Sequence, residues 1–141
     1  ERLIIGFDLL NPDNSLFFNV RVIIFSDKTV YQQGKAIRGG TPVCWPWFSE
    51  DLKGKDLPTH GFVRDQQWQV ANTQKLDDGS IKVTLEIGHN QYSLKLWPYK
   101  FKLQIEITIS STLTVALITN NLDDKPFTIS QALHSYLAIG D

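Results

Sequence analysis

Between Phe101 and Ser110 apolar and polar residues alternate without a break: Phe101, Leu103, Ile105, Ile107 and Ile109 against Lys102, Gln104, Glu106, Thr108 and Ser110. Helical side chains repeat about every 3.6 residues, so a period of two fits a strand with one buried and one solvated face. Ile81, Val83, Leu85 and Ile87 alternate in the same way with Lys82, Thr84 and Glu86, and Tyr92, Leu94 and Leu96 continue the pattern up to Pro98. Residues 16–25 form an apolar run rich in β-branched and aromatic side chains, and further strands are expected at 28–31, 67–74, 112–119, 127–131 and 132–139. The turns Leu76-Asp77-Asp78-Gly79 and Asn120-Asn121-Leu122-Asp123-Asp124 join neighbouring runs, which makes them antiparallel. No window carries a helical stripe. The expected fold is all-β, an antiparallel β-sandwich, in a single domain over residues 1–141.

Residues 34–64 break this regularity. Pro42, Pro46 and Pro58 with Gly34, Gly39, Gly40, Gly54 and Gly61 exclude a regular helix or a central strand. Yet Val43, Cys44, Trp45, Trp47, Phe48 and Phe62 are too apolar for a solvated linker. A long loop with its own apolar core is usually a functional one. This loop also carries Arg38, Arg64 and His60, so it is the candidate site.

The net charge of −1 argues against electrostatic binding to nucleic acid or to an acidic membrane surface. The longest apolar stretches are too short to span a bilayer, and no signal-peptide pattern opens the chain. A lone Cys44 forms no internal disulfide, which fits a reducing compartment, and a cytoplasmic location is expected. No His/Cys spacing resembles a zinc site, so no metal is expected. A start at Glu1 and an end at Asp141 lead to the expectation of a piece of a longer chain.

Arg38 beside Gly39-Gly40 and Arg64 at the end of the loop have the planar fork that suits phosphate or carboxylate. The alternative is that each pairs with a local acid such as Glu50, Asp51 or Asp65. His60 lies in a Pro-Thr-His-Gly turn, and His134 in the apolar run Ala132-Leu133-His134-Ser135-Tyr136-Leu137. His134 is open to two readings: a core histidine with both nitrogens bonded, or a group that moves a proton near neutral pH, as His60 in the loop also can. His89 reads as a turn residue, the tryptophans mainly as core, and Cys44 as an inert thiol with no cationic neighbour in sequence.

Three runs, KAIRGGTPVCWPWF (35–48), LPTHGFVR (57–64) and ALHSYLAIGD (132–141), resemble in order and spacing the hexose-6-phosphate mutarotases, or glucose-6-phosphate 1-epimerases. These belong to the aldose 1-epimerase (galactose mutarotase-like) superfamily. The resemblance implies a supersandwich fold, of which this chain would be the N-terminal part. It implies cofactor-free interconversion of the α and β anomers of a hexose 6-phosphate by general acid and base. By the same resemblance His134 matches the general acid, Arg38 and Arg64 the substrate-binding arginines, and His60 and Thr59 lie in the substrate-binding turn. Position 59 is a substrate-contacting Gln in some members, and here it is the shorter Thr59. The family's base, a glutamate, is expected beyond Asp141, and Glu50, Glu86 and Glu106 match no such position. The expected partner is the sugar phosphate, with self-association of the 141-residue chain. A non-catalytic carbohydrate- or sugar-phosphate-binding module on the same sandwich is the second reading.

Overall fold

The computed structural model of the chain describes residues 39–50 and 57–136. The strands expected at 16–25 and 28–31, residues 51–56 of the loop, Arg38 and residues 137–139 lie outside the described residues. Two compact units are present, one holding residues 39–50, 58–65 and 130–136 and the other holding 57 and 66–129.

The larger unit is a four-stranded antiparallel sheet of β2 (Gln69–Lys75), β3 (Ile81–Gly88), β4 (Phe101–Ile109) and β5 (Leu113–Asn121), paired in chain order. The long alternation is β4, and its inward residues Phe101, Leu103, Ile105 and Ile107 are buried. Their register partners continue the apolar face, with Leu85 and Leu117 on either side of Ile105, and Val83 and Val115 on either side of Ile107. On the other face Lys82 meets Glu106 and Lys102 meets Glu86, each at 3.3 Å. Between β2 and β3, Gly79 takes the φ of 84° that this tight turn needs. Asp78 Oδ1 accepts from the Ser80 amide and hydroxyl, which holds its carboxyl below the usual range.

Two strand expectations fail here. Residues 91–96 form a helix, α1 (Gln91–Leu96), not a strand. Asn90 Oδ1 accepts from the Ser93 amide while Ser93 Oγ accepts from the Asn90 amide, a reciprocal cap at 2.9 Å each that starts the helix. It ends at extended Trp97, as Pro98 requires of the residue before it. Residues 127–131 form no strand; Phe127 instead packs its ring on Trp97 and Tyr99, at 4.7 and 5.7 Å.

In the smaller unit, β1 (Val43–Cys44) pairs antiparallel with β6 (Ala132–Leu133). The same register runs past both ends, through Tyr136 N–H to the Gly40 carbonyl, His134 to Pro42 and Ser130 to Pro46. Thus the proline-rich run does use strand-like hydrogen bonds. Its prolines fall where no amide is needed, because Pro42 and Pro46 take part through their carbonyls. Val43, Cys44, Trp45, Phe62 and Val63 form a buried core, with Phe62 edge-on to Trp45 and Trp47. Trp45 also bridges in parallel to Gly61, and the Trp47 indole N–H donates to the Pro58 carbonyl. The loop that looked irregular in sequence therefore carries its own core.

Candidate functional site

The β1–β6 register sets His134 opposite Pro42, at the point where the strand leaves the core. Its side chain is exposed, which removes the reading of His134 as a core histidine. Two residues on, and so on the same face, Tyr136 brings its ring to 5.3 Å from that of His134. The ring of His60 lies 6.0 Å from that of His134, and the ring of Phe48 lies 5.0 Å from that of His60, tilted by 31°. Phe48, His60, His134 and Tyr136 are thus linked ring to ring. Phe48 and Tyr136 keep 43% and 41% of their surface exposed.

His60 is held by its backbone as well as its ring. The turn 59–62 puts His60 at φ 65° and Gly61 at φ 76°, and Ser49 across from it stands at φ 73°. The Ser49 amide donates to His60 Nδ1 at 2.9 Å, and the His60 amide donates to the Ser49 carbonyl at 2.8 Å. Partial burial, and then the charges of Arg64 and His134, lower the His60 pKa from its ordinary value.

Arg64 follows Val63 in a short 3₁₀ turn (Val63–Asp65), and its Nη2 donates to the Thr59 carbonyl at 2.8 Å. The guanidinium is thereby pinned over the turn that carries His60. Its charge also reaches Cys44. The thiol is nevertheless raised above its usual range, because burial outweighs the arginine. So the cationic neighbour missing from the sequence around Cys44 is supplied by the fold, and the thiol still stays protonated near neutral pH.

Four of the five residues singled out from the sequence, Thr59, His60, Arg64 and His134, meet in this unit; Arg38 lies outside the described residues. Thr59 enters through its carbonyl, a role its side chain could not have revealed. Phe48, Ser49 and Tyr136 were missed. Tyr136 was within reach, since it stands two residues from His134 in the run expected to be a strand at 132–139. Phe48 and Ser49 carry no such signal, because left-handed turns decide what they meet.

The profile of the family described as "Aldose 1-epimerase" matches residues 18–141. A "putative glucose-6-phosphate 1-epimerase" of Escherichia coli is 34% identical over 120 residues, and one of Salmonella typhimurium is 33% identical over 120 residues. Each match covers 85% of this chain and 39% of the relative, so the chain spans about two fifths of their length. The crystal structure of a "putative mutarotase" from Salmonella typhimurium superposes with a TM-score of 0.76 at 33% identity, over 85% of this chain and 39% of that one. A protein of Synechocystis sp. PCC 6803 gives 0.72 at 26% identity, over 82% and 43%.

Proposed function

The chain belongs to the aldose 1-epimerase family, and on that premise we propose that it supplies the acid and the anion-binding side of a mutarotase site for a hexose 6-phosphate. The observation that carries this reading is the gathering of His134, His60 and Arg64 in one small unit, with the two imidazoles 6.0 Å apart. One pyranose ring can meet both.

The chemistry needs two groups acting on opposite sides of one bond. A base takes the proton of the anomeric hydroxyl, C1 becomes a carbonyl, and the bond from C1 to the ring oxygen breaks. An acid, here His134, delivers a proton to that oxygen as it leaves. The open chain turns about C1–C2, and the reverse transfers close the ring on the other face. One proton enters and one leaves with no change of oxidation state, so the reaction calls for no redox cofactor. Acid and base each typically contribute about 10²- to 10⁴-fold. In this reading the base is a carboxylate from the part of the relatives that this chain does not span. Glu86 and Glu106 are instead engaged with lysines on the sheet of the other unit. Arg64, and Arg38 with it, would bind the phosphate. The names of the curated relatives support glucose 6-phosphate as the sugar.

The test is NMR exchange between the glucose 6-phosphate anomers with the full-length protein. Exchange well above the buffer rate, lost in His134→Ala, is expected. Exchange no faster than buffer, with glucose 6-phosphate still bound, would favour a binding module on the same fold.

A further inference from the structure

We propose that His60 works in this site as a neutral hydrogen-bond donor through Nε2–H to a sugar oxygen, and that Ser49 and Phe48 are the positioning residues that hold it in that form. The sugar as ligand rests on the mutarotase reading above; the state of the imidazole does not.

A neutral imidazole has one donor nitrogen and one acceptor nitrogen. A backbone N–H can only donate, so the bond from the Ser49 amide at 2.9 Å requires Nδ1 to be the acceptor. The proton must then sit on Nε2. Protonating Nδ1 as well would set one N–H against another. The neighbours act in the same direction, since the positive Arg64 and, when protonated, His134 both oppose a charge on His60. Two histidines in one site therefore divide the work: His60 donates a hydrogen bond without changing charge, and His134 is the one available to carry a proton.

The support around His60 is built for this. Ser49 and His60 both adopt the left-handed backbone that non-glycine residues rarely take, at φ 73° and 65°. Such conformations persist only where the surroundings over-determine them, and they cluster at functional sites. Here the reciprocal pair of bonds between the two residues does so. The Phe48 ring covers His60 at 5.0 Å, and the Phe48 amide donates to Ser130 Oγ at 3.0 Å. That bond ties the loop to the segment that carries His134, so one short stretch, Phe48-Ser49, relates the two imidazoles.

The full-length protein tests this in two ways. Long-range ¹H–¹⁵N correlation of the histidine rings at pH 7 should show His60 as the Nε2–H tautomer. An Nδ1–H tautomer or an imidazolium would overturn the proposal. In Ser49→Gly, which keeps the amide and tolerates the backbone, the signature should stay. In Phe48→Ala the Nδ1–H form should become populated, and an unchanged spectrum would remove Phe48 from the positioning role. The second test uses glucose 6-phosphate affinity and anomer exchange. A Gln amide reaches the Nε2 position and an Asn amide only the Nδ1 position. His60→Gln should stay within about tenfold of wild type, whereas His60→Asn and His60→Ala should lose about 10- to 100-fold. A Gln variant as impaired as Ala would overturn the donor role. Absence of anomer exchange in the wild type would sink the mutarotase reading, while the ring spectra would still decide this one.

Discussion

At the scale of single residues, Gly61 and Gly79 separate two costs that are usually mixed. Both have positive φ, 76° and 84°. A Cβ on Gly79 meets nothing within 4 Å, whereas one on Gly61 lands on the Trp45 carbonyl. Gly79→Ala should therefore cost only the backbone term, about 1–2 kcal/mol. Gly61→Ala adds overpacking of about 1–3 kcal/mol, and urea melts of the full-length protein should show the difference. Arg64 makes a different prediction. If it binds the 6-phosphate, Arg64→Ala should weaken glucose 6-phosphate by about 10- to 100-fold and free glucose far less. Equal losses for the two sugars would point to an arginine whose role ends at the Thr59 carbonyl. His60 makes a third. Its folded-state pKa lies below its ordinary value, first through burial and then through Arg64 and His134. The unfolded chain then binds more protons in the window just below about pH 6.5, so stability is fully present above that pH and is lost as pH falls through the folded value. Between pH 7 and pH 5 the wild type should lose more stability than His60→Gln. Equal losses in urea melts would contradict the sign.

At the scale of elements, α1 depends on its first turn more than on its face. It has six residues, among them Leu94 and Leu96, which are half-buried, and Tyr92, which is exposed. So short a helix is not stable by propensity, and the reciprocal Asn90–Ser93 cap supplies the bonds its first amides would lack. Asn90→Ala should cost about 1 kcal/mol, seen as a lower urea midpoint with an unchanged slope. A neutral result would mean that packing alone holds α1. The same element shows how an alternation can mislead. In six residues, positions 92, 94 and 96 do not distinguish a period of two from one of 3.6, and side chain–backbone bonds at Asn90 decide the matter.

At the scale of the molecule, the sheet of the larger unit has β2 and β5 at its edges among the described residues. All seven residues of β2 are exposed, Val70 by 49%. Edge strands offer unpaired backbone groups to any strand that arrives, and the family relatives are more than twice as long as this chain. We expect residues 1–141, expressed alone, to self-associate. Size-exclusion chromatography with light scattering reads this directly. A monodisperse monomer with a cooperative urea transition would show that these residues close their own core.

What the sequence determined by itself is what local periodicity can carry. The alternations at 81–87 and 101–109 are β3 and β4, and the Asp-Asp-Gly turn is where the chain reverses, because a strand's faces and a tight turn's backbone are set by a few adjacent residues. The site was legible as residue types, a histidine in each of two runs, Arg38 beside glycines and Arg64 at the end of the loop. Their assembly was not legible. His134 reaches His60 only because residues 130–136 pair with residues 40–46, and no local pattern encodes a register between segments so far apart. The chemical state of His60 also belongs to the tertiary structure. An imidazole has two equivalent-looking nitrogens in sequence, and the amide of Ser49, brought alongside by two left-handed turns, makes one of them the acceptor.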